Sequence, residues 1–204
     1  MIEKKALTSA PINELLASRW SGRAYAADKP VDHKDLQSLL EAARWAPSCF
    51  GDEPWRYIVC DRFSNESAWQ HACDCLAEGN RSWAVNAPVL ILVCANSVFS
   101  GNGKPNRWGE YDTGAASMSI CLEATSRGLM VHQMGGYDAD KAREAFHVPD
   151  RYTTMAMMAV GYQLPENELP DDIRDRELSA RRRSEHEKLF FAGDWDEAFL
   201  FTGD

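Results

Sequence analysis

The spacing of apolar residues predicts short helices and buried strands that follow one another without strict alternation. Apolar residues recur every three or four positions in five segments, which is the period of a helix with one buried face. These predicted helices are 11–17, 32–46, 66–77, 108–127 and 138–148. Continuous apolar runs, some of them rich in β-branched residues, are typical of buried strands. These predicted strands are 55–60, 88–95, 129–134 and 153–162.

Residues that favour helix ends support several of these boundaries. Asp32 and Asp138 stand where an N-cap side chain can accept a hydrogen bond from the first turn. Pro47 follows the second helix, and Gly128 follows the longest one at the position where a left-handed residue commonly ends a helix. Because helices outnumber strands and do not alternate with them, the pattern favours an α+β fold, a sheet surrounded by helices, over a regular doubly wound fold.

Composition narrows the classes of partner. The chain has 204 residues and a net charge of −9, which argues against nucleic acid and anionic membranes as partners. The amino-terminal residues show no long apolar run, and the run Val89–Ala95 is too short to span a bilayer, so we expect a cytoplasmic protein.

Six cysteines without a C-x-x-C pair are expected to be mostly reduced thiols of the core. The sequence H-x-C-x-C at 71–75 lacks an evident fourth ligand, so no metal site is expected.

The end of the chain changes from acidic to basic and then to aromatic. Residues 165–177, with Asp171, Asp172, Asp175 and Glu177, are expected to form a solvated connector. The aromatic residues that follow are Phe190, Phe191, Trp195, Phe199 and Phe201. A free tail would not expose so much apolar surface, so we expect this segment to dock, plausibly on a partner subunit.

The segment ASRWSGRAY places Arg19, Ser21 and Arg23 on every second residue. In an extended segment these three side chains point the same way, and guanidinium and hydroxyl groups are good donors to phosphate oxygens. Arg181 and Arg183 repeat the spacing far along the chain. Two basic clusters in an acidic chain suit a bound anion such as a cofactor phosphate, although the spacing alone is more typical of ordinary surface arginines.

Three longer stretches resemble the FMN-dependent nitroreductase family. They are AARWAPSCFGDEPWRYIV (42–59), WGEYDTGAASMSICLEATSRGLMVHQMGGYD (108–138) and RRRSEHEKLFFAGDW (181–195). Their most specific elements are A-P-S followed by P-W-R, then D-T-G-A-A in a helix, then the G-G turn. The resemblance implies one nitroreductase-like domain over 1–204, with a central, mostly antiparallel sheet surrounded by helices. It also implies an intertwined homodimer with two FMN sites at its interface and an extension, 163–204, that wraps the partner subunit.

The resemblance assigns roles to individual residues. The residues it implies for cofactor binding are Arg19, Trp20, Ser21, Arg23, Pro47, Ser48, Cys49, Gln133, Met134, Gly135, Gly136, Arg181 and Arg183. Among these, Arg23 is expected near N1 and O2 of the flavin, where a cation stabilises the charge that reduction leaves. The loop 47–49 is expected from the other subunit, and the turn at 135–136 to offer an N–H toward N5. The residues implied for the substrate pocket are Phe50, Trp108, Glu110 and Tyr111.

Two positions depart from the family pattern. Many relatives have Asn where this chain has Gly51 and Gln where it has Glu53, so the sequence leaves the contacts of this loop with the ring undetermined.

The function implied is an FMN oxidoreductase that passes a hydride from NADH or NADPH to a nitroaromatic, quinone or activated alkene by ping-pong kinetics. Flavin N5, rather than a side chain, carries the chemistry. The alternatives are a non-catalytic module that binds or stores FMN, and a reductive dehalogenase or a flavin-fragmenting enzyme on the same fold.

Overall fold

Four strands form an antiparallel sheet at the centre of the computed structural model, which describes residues 2–200. The strands are β1 (Trp55–Asp61), β2 (Val89–Asn96), β3 (Met130–Met134) and β4 (Tyr152–Gly161). They lie in the order β1-β2-β4-β3, and each neighbouring pair is antiparallel. All four predicted strands are confirmed, and so is the α+β class with an antiparallel sheet.

Seven α-helices lie in the described part of the chain. They are α1 (Glu14–Ser18), α2 (His33–Arg44), α3 (Glu66–Cys75), α4 (Glu78–Ala84), α5 (Gly109–Ser126), α6 (Ala139–Ala145) and α7 (Asp171–Leu178). The five predicted helices are confirmed, each somewhat shorter than expected. Asp32 and Asp138 cap as predicted, because their carboxylates accept from the backbone N–H of Lys34 at 2.7 Å and of Lys141 at 2.9 Å. Gly128 has the left-handed φ of 70° that ends α5.

The sheet separates two apolar layers because alternate residues of a strand point to opposite faces. Every residue of β2 is buried. Leu90, Leu92 and Cys94 pack in the layer that contains α3 and α4, and Val89, Ile91 and Val93 pack in the layer of α2 and α5. The continuous apolar run that predicted this strand therefore reflects a sheet covered on both sides.

Two helices were not predicted. The sequence of α4 contains Gly79 and Asn80, and just two of its residues, Trp83 and Ala84, are buried, so it shows no apolar repeat. The prediction of a solvated connector at 165–177 is wrong in its second half, where α7 forms. Asp171, Asp172 and Asp175 are exposed as expected, whereas Glu177 is completely buried.

The segment after α7 is open and aromatic. Phe191 pairs with Ala198 in an isolated bridge, while Trp195 is 82% exposed and Phe199 is 47% exposed. Phe201 and the last residues of the predicted extension 163–204 lie outside the described residues, as does Met1.

All six cysteines are free thiols, and five of them are buried. Among residues 2–200, no helix combines the length and apolarity that crossing a membrane requires.

Candidate functional site

The segment 19–25 lies at one end of the sheet, which we name the upper end and define by Val89, Met130 and Gly161. Tyr25 fixes the segment there: its backbone pairs with Gln163, and its hydroxyl donates to the carbonyl of Ala159 at 3.0 Å. The N–H of Ala26 adds a bond to the carbonyl of Tyr162 at 2.9 Å. The strand β4 and its continuation therefore determine where the arginine-rich segment runs.

Both predicted basic clusters line one cavity of about 260 Å³, which we name the basic cavity. Its lining residues are Lys4, Arg19, Trp20, Ser21, Arg23, Arg176, Ser179, Arg181 and Arg183. Six of these are cationic, and none of the described lining residues is acidic. A local concentration of cations in a chain of net charge −9 is the arrangement expected of an anion site.

Arg181 connects three parts of the chain at the cavity. One of its terminal nitrogens donates to the carbonyl of Lys4 at 3.0 Å and to that of Ala17 at 2.6 Å. Arg19 donates to the hydroxyl of Ser21 at 3.3 Å. Trp20 also lines the cavity, with the ammonium of Lys4 lying 4.5 Å from its ring centre, so the segment does not alternate strictly as an ideal strand would.

The cations crowd one another. Within residues 2–200, no ion pair joins any of the six to a carboxylate. Burial lowers the pKa of Arg23, and the charge of Arg176 lowers it further. The pKa of Arg181 is lowered by burial and by Arg19 and Arg183. A bound anion would relieve this repulsion, so the cavity favours a ligand with concentrated negative charge.

Glu177 lies directly beneath the cavity. It is 0% exposed, and its two carboxylate oxygens accept from the backbone N–H of Arg23 at 3.1 and 3.0 Å. Gly22 must stay without a side chain, because an added Cβ would collide with Met130 and come within 2.9 Å of Glu177 Oε2 and of Trp20. The backbone at 22–23 is thus held from below by a buried carboxylate.

An aromatic stack supports the other side of the segment. The ring of His132, on β3, lies 4.6 Å from that of Trp83, which stacks in turn on Tyr25 at 6.2 Å and lies 5.6 Å from the guanidinium of Arg23. His132 Nδ1 is 3.0 Å from the carbonyl oxygen of Gly22. Burial lowers the pKa of His132 to about 4, so the ring is neutral at pH 7 and its Nδ1–H can donate to that carbonyl.

The predictions from sequence missed several residues of this region. Lys4, Arg176 and Ser179 line the cavity, and Glu177 and His132 hold its loop. None of them belongs to a spaced motif, and they come from the two ends and the middle of the chain. A local pattern carries no signal for such a grouping.

The remaining residues predicted for the ring are in varied environments. Gln133 is exposed and donates to Cys121 Sγ at 3.3 Å, whereas Met134 is 2% exposed and belongs to the core. At Gly135 an added Cβ would meet nothing within 4 Å. At Gly136 it would lie 2.6 Å from the amide nitrogen of Asn80. Open backbone is therefore available at Gly135, while packing explains the glycine at 136.

The loop 47–53 is at the opposite end of the sheet, which we name the lower end and define by Trp55 and Asn96. The N–H of Cys49 donates to the buried carboxylate of Asp112 at 2.9 Å, and the N–H of Glu53 donates to Ser48 Oγ at 3.1 Å. These two bonds attach the predicted loop to the first turn of α5 and close it on itself.

The same loop contains three residues in the left-handed region. The values of φ are 56° at Phe50, 65° at Gly51 and 48° at Glu53. Glycine and asparagine are the residues that adopt this region most readily, which gives a conformational reason for Gly51 where relatives have Asn. The loop is therefore held in a conformation that costs energy, as loops at functional sites often are.

The residues predicted for the substrate pocket surround the start of α5 and are solvent-exposed. Phe50 is 94% exposed, Tyr111 76% and Trp108 42%, and Glu110 is exposed as well. The ring of Phe50 packs edge-on against that of Phe99, with the ring centres 5.8 Å apart. Within one chain the three aromatic side chains form an exposed surface beside the charged Glu110 rather than a closed pocket.

The register of the sheet keeps the two groups apart. Met130 pairs with Gly161 at the upper end, and Trp55 pairs with Ala95 at the lower end. The eight residues of β2 span this separation, about 23 Å at a rise of about 3.3 Å per residue. The structure thus unites the two arginine clusters with each other, but it does not bring the loop 47–53 to them within one chain.

Comparison with known proteins identifies relatives. The model of the family described as "Nitroreductase family" matches residues 16–162. An uncharacterized 15.4 kDa protein of Mycolicibacterium smegmatis is 36% identical over 120 residues, which cover 59% of this chain and 79% of that protein. A "Putative NADH dehydrogenase/NAD(P)H nitroreductase" of Archaeoglobus fulgidus is 25% identical over 159 residues, covering 76% of this chain and 87% of that protein. A solved structure of an oxidoreductase containing FMN superposes with a TM-score of 0.85 at 31% identity, covering 100% of each chain.

Proposed function

This chain belongs to the nitroreductase family, and we propose that it is an FMN oxidoreductase that uses NADH or NADPH to reduce small, electron-poor acceptors. The observation that carries the proposal is the basic cavity, in which both predicted arginine clusters meet. We expect the enzyme in the cytoplasm, where reduced nicotinamide cofactors are available and six free cysteines stay reduced.

The residues present fit the phosphate of FMN. A phosphate needs several donors around one point, and the cavity offers guanidiniums from Arg19 and Arg183 and the hydroxyl of Ser21. Burial, together with the charge of neighbouring arginines, lowers the pKa of Arg23 and Arg181, and these crowded cations favour a dianion over a neutral ligand. Gly135, with open space beside its backbone, supports a flat ring approaching that turn.

We propose that two copies of the chain complete each site. The loop 47–53 and the basic cavity lie at opposite ends of the sheet, in which β2 alone is about 23 Å long, so we infer that the loop beside a given flavin comes from a second chain. A two-fold pair would set the lower end of one protomer against the upper end of the other. This arrangement would also cover Phe50 and Tyr111, which are 94% and 76% exposed in the single chain. The aromatic segment after α7 would wrap the partner.

FMN, when bound, supplies a ring that accepts a hydride and passes reducing equivalents to an acceptor. The residues of the chain bind and orient it. Arg19, Ser21 and Arg183 would hold the phosphate, and the half-buried guanidinium of Arg23 would place fixed positive charge near the ring. A cation near the ring stabilises the negative charge of the reduced state and so raises the reduction potential.

The exposed residues at the lower end suit a broad range of acceptors. Phe50, Trp108 and Tyr111 offer aromatic faces to a flat nitroaromatic or quinone, and we infer that the donor and the acceptor use this surface in turn, with ping-pong kinetics. The second candidate is a protein that binds FMN without turnover, which the same cavity would serve.

The colour of the purified protein, and its response to NADH or NADPH, distinguishes the enzyme from the binding module. A yellow protein that bleaches with NADH or NADPH without oxygen, and recovers its colour with a nitroaromatic, is the expected result. A yellow protein that does not bleach supports the binding module. A colourless protein that does not bind added FMN would contradict both.

Two substitutions test the individual roles. We expect Arg19→Ala to raise the dissociation constant of FMN about tenfold or more, the scale of one charge-assisted hydrogen bond. Arg23→Ala should in addition lower the reduction potential of the bound flavin. Arg182→Ala is the matched control, because Arg182 lies between two cavity residues but does not line the cavity. An unchanged potential in Arg23→Ala with FMN bound would remove the role of Arg23 at the ring.

A further inference from the structure

We propose that Glu177 is a positioning residue of the basic cavity: its buried carboxylate fixes the backbone at Arg23 and thereby the direction of the side chains of 19–23 that bind FMN. The proposal rests on the proposed function for the identity of the ligand. The arrangement of the loop itself is visible in the single chain.

The position of Glu177 is unlike that of the other acids on its helix. Asp171, Asp172 and Asp175 are exposed, whereas Glu177 is 0% exposed. A carboxylate of this kind is costly to bury unless strong donors satisfy it. Here the backbone N–H of Arg23 is shared between both oxygens, at 3.1 and 3.0 Å, and the charges of Lys4 and Arg23 also interact with the carboxylate.

No side-chain cation contacts the Glu177 carboxylate among the described residues. Lys4 lies close, but its ammonium donates to backbone carbonyls, those of Glu177 at 2.7 Å and Arg176 at 3.2 Å. Gly22 lies against the carboxylate, since an added Cβ there would be 2.9 Å from Oε2. The carboxylate therefore contacts the loop through its backbone, at Gly22 and Arg23.

The negative charge of Glu177 and its contact with the loop backbone have opposite effects on the affinity of the cavity for an anion. As one more negative charge below the cavity, Glu177 weakens the binding of phosphate. As the group that holds the Arg23 backbone, it strengthens binding, because a loop already in its bound conformation loses less entropy when the ligand arrives. The sign of the change on neutralising Glu177 tells which effect dominates.

The test is the Glu177→Gln variant of the full chain, titrated with FMN and, separately, with inorganic phosphate. Positioning predicts that both dissociation constants rise, that of FMN about tenfold. Tighter binding of either anion would overturn the proposal, because it would mean that the charge of Glu177 outweighs its hold on the loop. Glu177→Asp keeps the charge but shortens the side chain, and we expect it to weaken FMN binding as well; wild-type affinity in that variant would also contradict the proposal.

Asp175→Asn is the matched control. It removes the same charge from the same helix at an exposed position, so it should leave the FMN affinity unchanged or slightly higher. A loss in Asp175→Asn equal to that in Glu177→Gln would mean that the helix as a whole, rather than the contact with Arg23, is responsible.

Amide hydrogen exchange tests the hydrogen bond between the Arg23 N–H and the Glu177 carboxylate in protein without flavin. In the wild-type protein the N–H of Arg23 should exchange slowly, and in Glu177→Gln its exchange should be about tenfold faster while amides of β2 keep their rates. Rapid exchange of this amide in the wild-type protein would overturn the proposal even if the variants do not fold. If the wild-type protein does not bind FMN but its Arg23 amide exchanges slowly, the proposed function is contradicted, whereas the contact by which Glu177 positions the loop is supported.

Discussion

Two loops of this protein, 19–25 at the upper end and 47–53 at the lower end, are attached to the fold by the same device. In each, a buried carboxylate from a helix accepts a backbone N–H of the loop: Glu177 from Arg23 above, and Asp112 from Cys49 below. A hydrogen bond to a charged, buried acceptor is among the stronger polar contacts available to a loop. Both ends therefore have a backbone fixed independently of any ligand.

The side chains of the two loops differ. The upper loop is packed, with Tyr25 buried and Arg23 half-buried over Trp83. The lower loop has left-handed backbone at three positions and leaves Phe50 94% exposed. The upper end has a cavity lined by six cations, whereas the aromatic side chains at the lower end are exposed within one chain. This contrast is what a site shared between two protomers predicts.

The largest effect should come from Gly22→Ala. An added Cβ would collide with Met130 and crowd Glu177 and Trp20, so we expect a loss of about 2 to 3 kcal/mol in the free energy of unfolding, together with weaker FMN binding. Gly79→Ala is the control, because a Cβ at this helical position meets nothing within 4 Å and should stabilise slightly. Equal tolerance of both substitutions in urea unfolding would show that the upper loop is not tightly packed, and the contrast between the ends would be lost.

The next effect is a pH dependence specific to the upper end. Burial lowers the pKa of His132 from 6.5 to about 4. Between these values the unfolded chain binds more protons than the folded one, so the free energy of unfolding decreases as the pH falls through this range. We expect His132 to contribute a loss of about 2 kcal/mol between pH 7 and pH 5.

Urea unfolding at several pH values measures this contribution. His132→Asn keeps an amide donor near the carbonyl of Gly22 but removes the titrating group, so its stability should vary less with pH than that of the wild type. The control is His71→Asn, at an exposed position. Parallel pH curves for the wild type and His132→Asn would contradict the assigned role.

The smallest effect is expected from Asp112→Asn at the lower end. The amide oxygen can still accept from Cys49, so the loss in free energy of unfolding should be about 1 kcal/mol. Binding of inorganic phosphate should not change, since the basic cavity is at the other end of the sheet. Glu66→Gln, in the first turn of α3 and exposed, is the matched control for loss of an acid near a helix start. Weaker phosphate binding in Asp112→Asn would show that the two ends are coupled within a single chain.

The sequence by itself predicted the four strands, five of the seven described helices and the two arginine clusters that line the basic cavity. The apolar run of β2, the caps Asp32 and Asp138, and the spacing of Arg19 and Arg23 are local patterns, and each reflects a local physical requirement: burial, an unsatisfied N–H, or a shared direction of side chains. The strand and both caps are confirmed in the fold, and the family resemblance is confirmed by the match over residues 16–162. The arginines do line one cavity, but Trp20 between them lines it too, so the strict alternation is not observed.

Only the tertiary structure decided which other residues join the cavity and which acid is buried. Glu177 belongs to the same acidic run as Asp175, so the sequence predicts that both side chains are exposed to solvent. In the structure Glu177 is buried instead, and the N–H of Arg23 is its hydrogen-bond partner. Lys4 and His132 reach the same place from segments more than a hundred residues apart along the chain. A local pattern cannot encode such a partnership, because the free energy of a buried polar group depends on what the rest of the chain brings to it.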